Sequence, residues 1–322
     1  MKKFIIITSI SQPTKAVHLF AKIKDWQLIV VGDRKTPSNW KHQNVIYISP
    51  EQQIRIAKEF SKNLPWNHYS RKMIGYIYAL QNKADIIADT DDDNIPMNTW
   101  GTNIKFEGKF KTISNNDYIN VYQFFTEQKI WPRGYPLTKI LNNKKIINKN
   151  QQIKIGIWQQ LADGDTDVDA IYRLTNNQDI KFADKEPVIL QANSICPFNS
   201  QNTFFRKELF PLLYLPAYVT FRFTDILRGL IAQPIMWAAG YHLGFDKATV
   251  LQERNPHNYL KDFESEIPMY LNTEKVINIL KPIIKKQNSI TQNLKIAYDA
   301  LIKEKIVSPK EKKLLNEWLK SF

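Results

Sequence analysis

Ala84-Asp-Ile-Ile-Ala-Asp-Thr-Asp-Asp-Asp-Asn94 is the stretch from which the rest of the chain can be read. Ile86 to Ala88 form an apolar run long enough for a buried strand, and it stops at four carboxylates within five residues: Asp89, Asp91, Asp92 and Asp93. Acids so close repel one another and lose hydration in a crevice, so a site there calls for a cation or for basic side chains. Oxygen ligands at this density suit Mg2+ or Mn2+, which take one or two carboxylates together with substrate phosphates. A solvated acidic turn is the plainer alternative. The strand end favours metal and diphosphate binding, because α/β sheets hold their ligands at the carboxyl ends of strands.

Upstream of this stretch, strand-like and helix-like patterns alternate. Lys3–Thr8, Trp26–Val31 and Asn44–Ser49 are β-branched runs. Thr14–Ile23, Glu51–Ser61 and Tyr69–Asn82 carry apolar residues at helical spacing. The order predicts an α/β unit with a largely parallel sheet. Thr8, Ser9, Asp33 and Asp91 to Asp93 then share one sheet edge and converge on one ligand. Arg71 and Lys72 open the helix before the acidic strand, where free backbone N–H groups and two cations favour a phosphate; a basic helix surface is the alternative. Gly75 inside that helix suggests close approach of another backbone or a ligand.

The chain has 322 residues and a net charge of +14, from 45 Lys and Arg against 31 Asp and Glu. The last 48 residues hold 11 lysines and four acidic residues, half of the excess. That basic tail suits anionic lipid or phosphorylated substrate. Without zinc-ligand spacing or RNP-type aromatics, nucleic acid is not expected as a partner. A single cysteine, Cys196, excludes an internal disulfide framework. Phe4–Ile7 is too short for a signal peptide, and no segment reaches about 18 apolar residues, so a cytoplasmic protein is expected, peripheral at most on the inner membrane face.

Downstream, Asn142–Lys154 is Asn- and Lys-rich and reads as a loop or lid. Asp163, Asp165, Asp167 and Asp169 alternate, as in a loop that contacts sugar hydroxyls or in an Asp-capped turn; the EF-hand glutamate is missing. Pro197–Phe204 combines amides and hydroxyls suited to sugar hydroxyls. Asp225 stands amid Phe221, Phe223, Ile226 and Leu227, either as a helix cap or as a general base whose basicity an apolar setting raises. Arg254 and His257 supply a cation and a metal-capable imidazole. From Ile267 the chain becomes a set of amphipathic, Lys-rich helices that pack on the domain or lie on an anionic membrane.

Several blocks taken in order resemble the STELLO family of glycosyltransferase-like proteins, known from plant Golgi membranes and from bacteria. They are Ile6–Thr14, Leu28–Asp33, Tyr69–Tyr76, Asp89–Asn94, Trp131–Gly134, Asp167–Leu174, Pro197–Thr203, Thr224–Arg228 and Gln252–Tyr259. The resemblance implies a GT-A glycosyltransferase-like fold, with a Rossmann-like nucleotide-binding half and a mixed sheet. It also implies an Asp-x-Asp motif on Asp91, Asp92 and Asp93, with His257 on the same metal and Asp225 as the base. The plant relatives carry a membrane anchor before the domain. This chain opens on its first strand, which favours a cytoplasmic bacterial-type enzyme.

The expected organisation is a GT-A-like domain over residues 1–266 and a basic helical extension over 267–322. The expected function is a Mn2+- or Mg2+-dependent glycosyltransferase acting on a nucleotide-sugar donor and a cell-surface glycan or lipid-linked acceptor. Donor contacts fall to Thr8, Ser9, Asp33, Arg71, Lys72, Gly75, Asp91, Asp92 and Arg254, and metal contacts to Asp91, Asp93 and His257. Acceptor contacts fall to Trp131, Arg133, Asp167, Asp169, Asn199 and Gln201, and catalysis to Asp225. A nucleotidyl- or phosphotransferase on sugar phosphates would use the same groups. A non-catalytic scaffold regulating a glycan synthase is the third reading.

Overall fold

The computed structural model describes residues 1–141, 146–176, 178–253 and 258–322. Strands β1 (Lys3–Thr8), β2 (Gln27–Val31), β3 (Val45–Ile48) and β4 (Ile86–Thr90) lie parallel in the order β3-β2-β1-β4, with every residue from Phe4 to Ile7 buried. Such runs are buried on both faces, which is why they read as continuous apolar stretches rather than as alternation. Between them run α1 (Lys15–Phe20), capped by Thr14, then α2 (Pro50–Ile56), α3 (Lys58–Asn63) and α4 (Lys72–Gln81). A capping box of Ser49 and Gln52, with Pro50 in the first turn, starts α2.

One helix was expected over 51–61. The chain instead breaks at Ala57, whose φ of −149° lies outside the helical region. The second piece brings the Ser61 hydroxyl and carbonyl and the Leu64 carbonyl to the Arg71 guanidinium.

The second half of the sheet is mixed. It adds β5 (Asn94–Pro96), β6 (Glu107–Ser114), β7 (Ile147–Gly164), β8 (Val188–Leu190), β9 (Asn202–Arg206) and β10 (His242–Gln252). β9 runs antiparallel to both β4 and β7 and so joins the halves into one sheet. The expected loop over 142–154 is largely strand: β6 pairs with β7 from Ile147 to Lys154, and residues 142–145 lie outside the described residues. α5 (Ala170–Thr175) and α6 (Thr224–Ala238) precede the C-terminal helices α7 (Tyr259–Ile283), α8 (Ile290–Lys303) and α9 (Glu311–Leu319).

α7 runs without a break through position 267, where the composition changes. The apolar faces of the tail are in the core: Leu294, Ala297, Tyr298, Leu301, Leu314, Leu315 and Trp318 are all buried, in the same cluster as Met73 and Tyr214. Trp318 Nε1 donates to the Pro211 carbonyl at 3.0 Å. The buried Glu311 carboxylate accepts from Tyr214 OH at 2.5 Å and from the Ala217 and Tyr218 amides at 2.9 Å each. Glu311→Gln keeps one carbonyl acceptor among three donors and is expected to cost about 1–3 kcal/mol. A denaturant series checks this as a lower midpoint at constant slope; an unchanged midpoint would mean that apolar contacts alone hold α9. No helix of the described residues is long and apolar enough to cross a membrane.

Candidate active site

Register places the acids. Asp89 stands beside Ile6 of β1 and Thr203 of β9 and is fully buried, so it belongs to the sheet rather than to the cleft. Lys72 Nζ lies 2.8 Å from its Oδ1 and Arg228 Nη1 2.6 Å from its Oδ2. Burial pushes the Asp89 carboxyl up, but Lys72 and Arg228 outweigh it and hold it below the usual range.

Asp91, Asp92 and Asp93 emerge past the strand end into the cleft. Tyr69 OH and Lys72 Nζ both donate to Asp91 Oδ1, at 3.0 and 2.9 Å, which leaves Oδ2 without a bond among the described residues. Asp92 Oδ2 accepts from Ser9 Oγ at 2.5 Å, and Asp93 Oδ2 from Gln252 Nε2 of β10 at 3.3 Å. Burial raises the Asp91 and Asp92 carboxyls in spite of Lys72.

Two compartments adjoin here. One, of about 210 Å³, is lined by Thr8, Ser9, Gly32, Asp33, Lys35, Asn67 and His68. The other, also about 210 Å³, is lined by Asp91, Asp93, Arg133, Arg222, Asp225 and Gln252. Thr8, Tyr69, Asp92 and Phe221 line both. Phe221 is 56% exposed and sets its ring edge-on to His68 and Tyr69, so it overhangs the junction. Asp33 is held by the Arg34 amide at 2.7 Å and the His68 amide at 3.2 Å. Thr8, Ser9, Asp33, Asp91, Asp92 and Asp93 thus meet, as expected from the shared edge.

The cations do not behave as expected. All five N–H groups of Arg71 are engaged, by Gln53 Oε1, Ser61 O, Ser61 Oγ and Leu64 O, and the guanidinium stacks on Trp66 at 3.6 Å. Burial lowers its pKa to about 10. Arg71 therefore shapes the wall of the cleft and has no donor left for a phosphate. Lys72 is fully buried and is used by Asp89, Asp91, Tyr69 OH and the Thr90 carbonyl. Its role is to hold the acids together. Gly75 faces the sheet: a Cβ there would lie 2.6 Å from Ile6 and 2.8 Å from Val31 side chains, so the glycine serves helix–sheet packing and not a ligand. Arg254 and His257 lie outside the described residues.

The residues assigned to an acceptor bond mainly to one another. Asp169 caps α5 through the Tyr172 amide, accepts from Trp131 Nε1 at 2.5 Å, and is raised by burial to about 6. Asp163 and Asp165 are also engaged, with the Phe182 amide and Arg173. The capped-turn reading describes this segment. Arg133 reaches across to α6 from the Trp131–Gly134 turn, where Gly134 has φ +86° and a Cβ would lie 2.5 Å from Ile226. Its guanidinium is bidentate to Asp167, at 2.7 and 2.9 Å, and to Asp225, at 3.1 and 2.8 Å. Asn199 Nδ2 donates to Asp167 at 2.6 Å, and Gln201 bonds Gln252.

Asp225 is thus not in an apolar setting. Arg133 fixes both of its oxygens, and the Ser200 amide adds a third donor at 3.3 Å. Nor does it cap α6, whose N-cap Phe223 makes no side-chain cap bond. Tyr69, Phe221, Arg222 and Gln252 were missed by sequence reasoning. Each sits in or next to a block already singled out, but nothing local distinguishes a residue that faces the cleft from one that faces the core.

The residues present fit a divalent cation only in part. Among the described residues no three His, Cys, Asp or Glu side chains form a ligand set by themselves. The open Asp91 oxygen, with Asp93 beside it, suits a cation that takes one or two carboxylates and completes its shell with diphosphate oxygens and water.

An α/β sheet whose acid-bearing strand edge and helix-borne Asp225 line one compartment is the arrangement of a protein that binds its ligand at the carboxyl ends of its strands. The family described as STELLO glycosyltransferases matches residues 222–322. The probable glycosyltransferase STELLO2 of Arabidopsis thaliana is 27% identical over 300 residues, covering 87% of this chain and 39% of that protein. STELLO1 of the same plant is 25% identical over 342 residues, covering 100% and 44%. The chain is similar to the STELLO glycosyltransferases, the family its sequence blocks resemble, and it spans less than half the length of these two proteins. Among solved structures, glucosyl-3-phosphoglycerate synthase from Mycobacterium tuberculosis, in complex with phosphoglyceric acid, aligns with a TM-score of 0.39 and 11% identity over 84% of this chain and 79% of that one. A mycobacterial protein aligns with a TM-score of 0.42 and 10% identity over 84% and 73%.

Proposed function

We propose that this chain is a nucleotide-sugar-dependent glycosyltransferase of GT-A type that transfers a sugar to a glycan or lipid-linked acceptor. The observation that carries the reading is the two-compartment cleft, with Thr8, Ser9 and Asp33 along one part and Asp91 to Asp93 facing Asp225 across the other. The nucleoside takes the first compartment and the diphosphate lies toward Asp91 and Asp93. Asp91 and Asp93, with His257 as a further candidate ligand, would hold Mn2+ or Mg2+, which when bound would supply positive charge against the leaving diphosphate. Tyr69 and Lys72 orient Asp91 for that role, and Asp225 accepts the proton of the acceptor hydroxyl. The Lys-rich outer faces of the C-terminal helices support a peripheral position on an anionic inner-membrane surface.

The test is thermal denaturation of the full chain against a panel of nucleotide sugars, with and without Mn2+. At about 100-fold excess over its dissociation constant the correct donor stabilises by about 2.7 kcal/mol, and the shift should require the cation. Absence of stabilisation by every nucleotide sugar would overturn the reading. Synthesis of a nucleotide sugar from a sugar phosphate in the same screen would replace it with nucleotidyl transfer.

A further inference from the structure

Arg222 is the one cation lining the acid compartment whose hydrogen-bonding groups are not all committed, among the described residues. Arg133, the other arginine there, uses every N–H on Asp167, Asp225 and the Arg222 carbonyl. Lys72 and Arg71 serve the protein as described above. Arg222 Nε and Nη2 lie 2.9 and 2.8 Å from Glu266 Oε1, and Nη2 is also 3.9 Å from Asp167 Oδ1, while Nη1 has no partner among the described residues. Glu266 is fully buried and is fixed by the Ala170 amide at 2.7 Å and by Tyr270 OH at 2.5 Å. The guanidinium is therefore anchored at its back, and its side chain, 10% exposed, forms part of the wall that also carries Asp91, Asp93 and Asp225.

We infer that Arg222 is a substrate-contacting residue that donates from Nη1 to a phosphate oxygen of the donor diphosphate. This rests on the proposed nucleotide-sugar site and names the protein cation that site needs. A planar guanidinium held by a buried carboxylate presents its remaining N–H groups in a fixed direction and loses little side-chain freedom on binding an oxyanion. Its partner is a phosphate rather than a lone carboxylate, because Asp91 and Asp93 on the opposite wall suit a divalent cation of the kind that completes its shell with diphosphate oxygens. In turnover the same contact supports the negative charge that appears on the leaving group.

The experiment is isothermal titration of the full chain in Mn2+ with uridine, UDP, guanosine and GDP, on wild type and Arg222→Gln. That substitution leaves Glu266 buried without its cation, so a second variant, Arg222→Gln with Glu266→Gln, removes both charges together. For the base that binds, diphosphate affinity should fall about 10- to 100-fold in both variants, the equivalent of one or two charge-assisted hydrogen bonds, while nucleoside affinity changes by less than about threefold. If the folded double variant keeps the wild-type ratio of diphosphate to nucleoside affinity, Arg222 has no part in diphosphate binding. If wild type itself binds none of UDP, GDP, ADP, CDP and dTDP under the same conditions, the nucleotide-sugar site falls, and this contact with it.

Discussion

Asp91→Asn is expected to lower transfer by about 1,000-fold, or about 4 kcal/mol of transition-state stabilisation, and to remove cation-dependent donor binding. The geometry makes this substitution unusually clean. Tyr69 and Lys72 both address Oδ1, which the asparagine carbonyl reproduces, so the amide nitrogen takes the place of Oδ2 on the cleft side. An amide N–H cannot ligate a cation. Lys72 keeps Asp89 as a carboxylate partner, and the melting temperature should drop by only a few degrees. Asp89→Asn is the contrasting variant: it leaves Lys72 and Arg228 facing a neutral amide in a fully buried position, so its main effect is on folding. Titrating each variant with donor in the presence and absence of Mn2+ separates the two. Wild-type turnover in Asp91→Asn would remove the cation from that carboxylate.

The parallel half of the sheet was legible because its strands are buried on both faces and end in polar residues. Phe4 to Ile7, Leu28 to Val31 and Ile86 to Ala88 are apolar runs, and the ligand edge follows from parallel order alone. The mixed half was not. The first part of β7 is mostly exposed and polar, so Ile147 to Lys154 shows neither alternation nor an apolar run, and only pairing with β6 makes it a strand. Arg71 illustrates the same limit within the site. At a helix start it reads as a phosphate ligand, yet Gln53, Ser61 and Leu64 from a different segment take every N–H. Charge alone marks where an arginine is, and only packing tells which oxygens reach it first. The tail gave the right signal for a different reason: its apolar stripes are those of helices packed on a core, whether or not their outer lysines also face lipid.

Asp225→Asn is expected to reduce turnover by at least about 100-fold, the usual scale for loss of a general base, while affinity for the nucleoside diphosphate stays within a few-fold of wild type. The ion pair changes what else should be seen. An asparagine offers one acceptor and one donor where Arg133 presents two donors, so an N–H of the new amide faces a guanidinium N–H and part of the clamp is lost. Since Arg133 keeps its bidentate contact with Asp167, the cost should lie near the lower end of the 3–5 kcal/mol typical of breaking a buried pair. A lower melting temperature is therefore expected, and by itself it says nothing about catalysis. Asp167→Asn supplies the comparison, because it breaks the same clamp from the side that lines neither compartment of the cleft. If Asp225 carries the proton, its variant loses at least about tenfold more turnover than Asp167→Asn at matched fractions of folded protein. Equal losses in the two would mean that Asp225 matters only as a partner of Arg133, and the proton acceptor would then be sought among the other carboxylates of the cleft, Asp91 to Asp93.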